Sequence, residues 1–441
     1  MQTAFIAVGA AASDRGGEQL RRWAVLACLF ASMAFVYSAG NVATGAVFYV
    51  SIFRSFGWSR AKTAFLTVPG TIAQVVCVPL IGSLLDVVNA RIVMALGAGT
   101  AGVALLIASR AHSFSALALS HLLCGIGMVG AGPLACSYVA ANWFDVNRGL
   151  ALGVTMAGSA LGAAIYNPLA AYLIGKAGWR IGFISLAAPM LIMALPLSLV
   201  ISSRPARESA RAALRPSPAA RSEKAELLRI LHKPALWLLS GANFLIYFGF
   251  SGVFLHLVAY QIQLGYSAQR AAFTLGIAAG VAVAGKLLFG VLADKISARR
   301  ALGFALLIHG ASILMLMWSG DPLLLWAFTL VWGLVHTVHL PLVPALVAES
   351  LGLRGFGAMS GVVGVFGSVG AAAGPILVGY LFDRSHHYSA PFDLCAIFLA
   401  AGSLVVFGCH ATVSASANYP PSAALDHVAE GARHRPQRDG L

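Results

Sequence analysis

Charge is what this sequence has least of. Only 10% of its 441 residues are charged, and the 15 Asp and Glu are outnumbered by 29 Lys and Arg. No acid stands well inside any of the long apolar segments, so a buried carboxylate pair for general acid–base chemistry is missing. HExxH, GxSxG and the phosphate-binding P-loop are absent too, which removes the usual signs of a metallohydrolase, a serine hydrolase or a nucleotidase. The six cysteines (Cys28, Cys77, Cys124, Cys136, Cys395 and Cys409) show no CxxC spacing and sit in apolar surroundings. Small apolar packing accounts for them better than disulfides or a metal site, and no cofactor is expected.

What is there is apolar. With 59% hydrophobic residues and a mean hydropathy of +0.83, the chain has more apolar surface than a water-soluble core can hide. Windows of about 19 apolar residues pick out twelve spans, near residues 23–50, 63–85, 91–109, 114–141, 149–175, 179–201, 235–262, 270–292, 300–318, 322–347, 356–381 and 392–413. The 47 glycines suit close helix packing in lipid, whereas a membrane barrel would show alternation, so the expected class is all-α integral membrane.

The cations set an orientation. With the N-terminus inside, 20 of the 29 Lys and Arg fall on cytoplasmic segments, so both termini are expected in the cytoplasm. The net charge of +14 then reflects topology and an anionic leaflet, with no nucleic-acid partner implied. High alanine and arginine with little lysine point to a bacterial inner membrane. The first residues lack the basic start of a secretion signal and read as a short tail.

The pattern Gly-x-Leu-x-Asp-x-x-x-Ala-Arg occurs at Gly82 to Arg91 and again at Gly290 to Arg299, 290 − 82 = 208 residues on. Arg148-Gly149 and Arg354-Gly355 repeat at 206, and Pro168 and Pro375 at 207. Such constant offsets predict two six-helix bundles related as parallel repeats. The expected organisation is a tail (1–21), a first bundle (22–201), a polar linker (202–233), a second bundle (234–413) and a tail (414–441). Within the linker, residues 222–232 are expected either as a surface helix or as a disordered tether. Gly82 and Gly290 would let backbones approach, while Asp86 and Asp294 could pair with Arg91, Arg299 and Arg300 as a latch, or merely fix loop topology.

Together these landmarks resemble the major facilitator superfamily over residues 21–413. Phe35-Val-Tyr37-Ser-Ala-Gly-Asn41 and Gly285-Lys286-Leu-Leu-Phe-Gly290 are most similar to its monocarboxylate and oxalate/formate carriers. The resemblance implies alternating access around a midplane site, with Lys286 binding a substrate carboxylate where arginine is usual. The repeated landmarks Gly82, Asp86, Arg91, Gly290, Asp294, Arg299, Arg300, Arg148 and Arg354 are the candidate gating residues. Departures count as well: Asn41 stands where animal carriers have lysine, Ala282 where they have aspartate, and the second lysine of an oxalate carrier is missing. A monoanion is therefore expected over a dicarboxylate, with protons or a counter-anion as the coupled species and a monomer as the working unit.

Lys286 is the one charged residue well inside a span; it either faces an aqueous pocket or snorkels toward the cytoplasm. Trp332, His336 and His339 (i, i+4, i+7), Asn243, Tyr247 and Phe250, and Tyr37 with Asn41 form polar stripes expected to line the cavity. The histidines could move protons or could bond neighbouring helices. His309 falls on a span expected to be peripheral. Asn167 is expected to satisfy backbone groups freed by Pro168. The competing reading is an exporter of apolar or cationic compounds, which would more naturally carry an acid in its cavity.

Overall fold

The computed structural model describes residues 19–144, 148–201, 232–318, 320–351 and 356–409. The terminal tails, linker residues 202–231 and Arg354 lie outside the described residues, as do the side chains of Asp86 and Arg148. Eleven described helices are long and apolar enough to cross a membrane. The first four are α1 (Gln19–Phe56), α2 (Arg60–Leu85), α3 (Ala90–Ser109) and α4 (Phe114–Ala140). The fifth, Ala151–Val200, has 50 residues. As one helix it would run about 75 Å, far beyond a hydrocarbon core of about 30 Å. Gly178 divides it at φ 81°, ψ 164°, a conformation side chains resist, into α5 (151–177) and α6 (179–200). The rest are α7 (Pro234–Gln263), α8 (Ala268–Ile296), α9 (Ala298–Leu316), α10 (Pro322–Leu351), α11 (Met359–Ser385) and α12 (Ser389–Gly408). Twelve spans result, in line with the sequence.

The repeat is visible in the packing. α1 lies along α5, α2 along α4 and α3 along α6; in the second half α7 pairs with α11, α8 with α10 and α9 with α12. Small residues make these pairings. A Cβ on Gly162 of α5 would lie 2.5 Å from the Ala34 oxygen of α1, and one on Gly310 of α9 3.2 Å from the Ala396 oxygen of α12. Between helices in lipid this fit is the main source of cohesion, because tails outside are as apolar as the side chains within. Leu199, Ile192, Leu287 and Leu404 accordingly stay exposed on the outer surface.

Several spans are broken, and the breaks correspond between halves. α4 restarts at Pro133 after Gly132, and α10 restarts at His339 with Pro341 in its first turn, 341 − 133 = 208 residues further on. α1 contains a π-turn over Met33–Ser38 and breaks again at Thr44–Gly45. Non-helical backbone at membrane depth must be sheltered by protein or wetted by a cavity. These breaks lie toward the seam between the halves.

The close approach expected at Gly82 and Gly290 is not made in this conformation: a Cβ at either would meet nothing within 4 Å. It occurs instead at Gly285, where a Cβ would collide with the Leu334 carbonyl oxygen, locking α8 onto α10. Gly285→Val should therefore cost about 1–3 kcal/mol and lower the melting temperature of the detergent-purified protein by several degrees, whereas Gly290→Ala should leave it unchanged. Equal melting points for the two variants would show that the contact carries no weight.

Candidate functional site

A cavity of about 600 Å³ lies between the halves. Tyr37, Asn41, Asn243, Tyr247, His336 and Lys286 all line it. The π-turn of α1 carries Tyr37, and one turn on Asn41 Nδ2 donates to the Tyr37 carbonyl at 2.9 Å. α7 supplies Asn243, Tyr247 and Phe250, and the same spacing continues to Phe254. Lys286 follows the Gly285 contact, so α8 and α10 place it on one wall with His336, within electrostatic reach. It is the one charged side chain among the residues lining the cavity.

Two expected lining residues sit elsewhere. Trp332 is fully buried behind His336, its ring stacked on the imidazole at 4.1 Å and 13°. His339 lines a second cavity of about 120 Å³ that shares Asn243, Tyr247 and Leu340 with the first. The cause is the break in α10 over residues 336–338, which rotates His339 off the face that a continuous helix would give it. His336 Nδ1 faces the Trp332 and Gly333 carbonyls at 3.1 and 3.0 Å and so donates there, leaving Nε2 without a partner among the described residues. His339 packs edge-on to Tyr247, centroids 4.7 Å apart, and neither of its ring nitrogens has a partner among the described residues.

Sequence reasoning left His309 out. It is buried, with both ring nitrogens unpartnered among the described residues, and its ring lies 6.4 Å from Phe250 and from Trp332. Thr71, Gln74 and Ser159 also line the cavity and had no signal beyond being polar within apolar spans. Asn167 lines it too, but its Nδ2 donates to the Ala163 carbonyl at 2.8 Å. The acceptor that Pro168 leaves free is the next one, on Ala164, which lies against Gly276 of α8.

The repeated motif stands apart from the cavity. Arg299 Nη1 donates to the Cys409 carbonyl at 3.0 Å, and Asp294 and Arg300 are exposed. The Arg300 amide is capped by Ser297, and the Arg91 amide by Asn89, so both loops end in built helix starts.

At the opposite end a network that the sequence did not signal joins the halves. Asp383 at the end of α11 accepts from the backbone amides of Arg60 (2.9 Å) and Ala61 (3.0 Å), capping α2 from the other half, while Ser59 takes the Lys62 amide. The Arg60 guanidinium donates to the Tyr388 hydroxyl and lies 3.4 Å over the Phe382 ring. Tyr49 donates to the Arg60 carbonyl at 2.9 Å. His256 Nε2 donates to the Pro375 carbonyl at 2.9 Å, which leaves Nδ1 to accept from Tyr388 at 3.1 Å. Burial pushes the Tyr388 hydroxyl above the usual tyrosine range, with Arg60 pulling against it, so the phenol keeps the proton it donates. None of these latch residues lines the cavity, whose neighbour, the smaller cavity, extends along α10 to Val343 and Val347 and to Ser360.

The family model for the Major Facilitator Superfamily matches residues 29–357 and 281–425. Among curated proteins the chain is similar to monocarboxylate transporter 13 of Bos taurus, 26% identical over 391 residues covering 87% of this chain and 88% of that one. It is similar also to monocarboxylate transporter 12 of Rattus norvegicus, 25% identical over 437 residues, 92% and 88% of the two chains. Among solved structures it resembles a bacterial homologue of the human lysosomal transporter Spinster, in an inward-facing and unoccupied conformation. The TM-score is 0.69 with 18% identity, over 88% of this chain and 97% of that one.

The latch generates a direct expectation. Asp383→Ala leaves two amides of α2 uncapped, a loss of about 1–2 kcal/mol, which would favour separation of this end roughly tenfold. Spin labels at Lys62→Cys and Ala390→Cys, with the native cysteines replaced, should report a larger distance in Asp383→Ala than in its parent. An unchanged distance distribution would mean that the cap does not hold the halves together.

Proposed function

The chain belongs to the major facilitator superfamily of membrane transporters, and from that premise we propose that it is a secondary carrier for a small organic monocarboxylate, held by Lys286 between the two bundles. The observation that carries the reading is a lysine lining a large cavity whose other lining residues are neutral. A charge at this depth costs about 2.5–3.5 kcal/mol on insertion scales, a cost offset when the ammonium meets water or an anion. As a compact point charge it accepts a carboxylate with less directional demand than a guanidinium would. The names of the relatives, monocarboxylate transporters 12 and 13, agree in substrate class.

A cationic or apolar cargo is the poorer match, because a cation would meet Lys286 and no carboxylate among the lining residues. With the linker end in the cytoplasm, as the cations of the sequence imply, the Asp383 latch closes the outer mouth and the cavity faces inward. Transport then requires the latch to open as the other end closes, with the substrate passing Lys286 in between. Each chain has its own cavity, so a monomer in a bacterial inner membrane is a sufficient unit. Coupling runs through a proton or an exchanged anion: Asn41 and Ala282 replace the ionisable groups of the animal carriers, which leaves His336, His339 and Lys286 as the groups able to carry a proton.

Proteoliposome uptake tests the proposal. Wild type should accumulate a monocarboxylate, Lys286→Ala should lose at least tenfold in rate, and Lys286→Arg should keep part of it. Carboxylate at 100 times its dissociation constant should stabilise wild type by about 2.7 kcal/mol and leave Lys286→Ala unmoved. Equal uptake by wild type and Lys286→Ala would refute the assignment. Uptake that follows an imposed pH gradient into anion-free vesicles would identify the proton as the coupled ion, and uptake that needs a lumenal anion would identify exchange.

A further inference from the structure

The two walls of the cavity differ in chemistry. Around Lys286 the second half presents rings: Phe250, Phe254 and His336 line the cavity, and Trp332 backs them. The Trp332 ring is nearly parallel to those of His336 (13°), Phe254 (20°) and Phe328 (27°), so the wall is a bank of stacked faces fixed by packing. Such a wall favours a flat ring over a short aliphatic acid. The volume of about 600 Å³ is also well beyond a two- or three-carbon acid and falls in the usual range for larger ligands.

The amides carry the second observation. Asn41, Asn167 and Asn243 all line the cavity, and each gives its Nδ2 to a backbone carbonyl, of Tyr37, Ala163 and Val363 respectively. In each case the side-chain oxygen remains. For Asn243, 3% exposed, that oxygen is buried with no partner among the described residues. A buried acceptor left unpaired is costly, and a donor arriving with the substrate would relieve the cost. The walls therefore offer one cation for one carboxylate and several acceptors for a group that donates.

We infer that the substrate is an aromatic monocarboxylate bearing a hydroxyl or N–H donor remote from its carboxylate. The inference rests on the carrier reading above and narrows its substrate class. The carboxylate pairs with Lys286, the ring lies against Phe250, Phe254 and His336, and the donor reaches the amide oxygens. A second carboxylate would meet no second cation among the lining residues, so aromatic dicarboxylates bind more weakly.

Competition against the protein's thermal stabilisation, with proteoliposome uptake alongside, tests this with a matched series: 4-hydroxyphenylacetate, phenylacetate, 4-methoxyphenylacetate, 4-carboxyphenylacetate and acetate. The hydroxy acid should bind about tenfold tighter than the phenyl and methoxy acids, as one hydrogen bond to a buried acceptor allows, with acetate and the diacid weaker still. Asn41→Leu or Asn167→Leu should lower the affinity ratio of the hydroxy acid over phenylacetate, and Phe254→Leu should narrow the gap between phenylacetate and acetate. Acetate binding as well as the aromatic acids, or the methoxy acid as well as the hydroxy acid, would overturn the inference while Lys286-dependent binding kept the carrier reading intact. Failure of every carboxylate to bind wild type would remove both.

Discussion

Lipid offers a peptide group no hydrogen bond, and that constraint orders this structure. A helix may unwind only where protein or water receives its freed groups. The chain unwinds in α1 at Thr44–Gly45, in α4 at Gly132 and in α10 at residues 336–338, toward the seam between the two halves. The π-turn of α1 carries Tyr37 and the break in α10 begins at His336, and both side chains line the polar cavity. The same constraint explains the scarcity of charge: a lysine is tolerated at position 286 because it lines that cavity. The glycine contacts that hold α8 to α10 and α7 to α11 keep the cavity walls in register without needing a polar bond in lipid.

The two ends of the seam are held differently. At one, a carboxylate from the second half caps a helix of the first, and a guanidinium, two phenols and an imidazole bond around it. At the other, Gly82 and Gly290 face open space and the repeated loops close on their own halves. A latch built from helix capping and hydrogen bonds can be exchanged for water when the halves rock, which a sealed apolar contact could not do as cheaply.

Much of this was legible in the sequence, because lipid imposes strong patterns. Apolar length marked the spans, and constant offsets between landmarks marked the repeat. The i, i+4, i+7 spacing of Asn243, Tyr247 and Phe250 placed them on one cavity face, since α7 is unbroken. The same rule misplaced Trp332 and His339, because α10 unwinds between them. The latch was illegible: Arg60 and Asp383 are 323 residues apart and look like ordinary loop charges until the fold joins them. His309 lies on a span expected to be peripheral, and periodicity does not show that its ring turns inward to Trp332. Gly82 and Gly290 were expected to be tight because the glycines recur, and recurrence does not say in which conformation the approach is made.

The central claim is that one ammonium group receives the substrate's charge. The chain has only six lysines (Lys62, Lys176, Lys224, Lys233, Lys286 and Lys295), so ¹³C-methyl labelling of their amines gives a spectrum simple enough to assign with Lys286→Ala. Titration with a transported carboxylate should move the Lys286 resonance saturably, at the concentration that half-saturates uptake, while the matching neutral amide moves nothing. A carboxylate that is transported while the Lys286 resonance stays fixed would contradict the account.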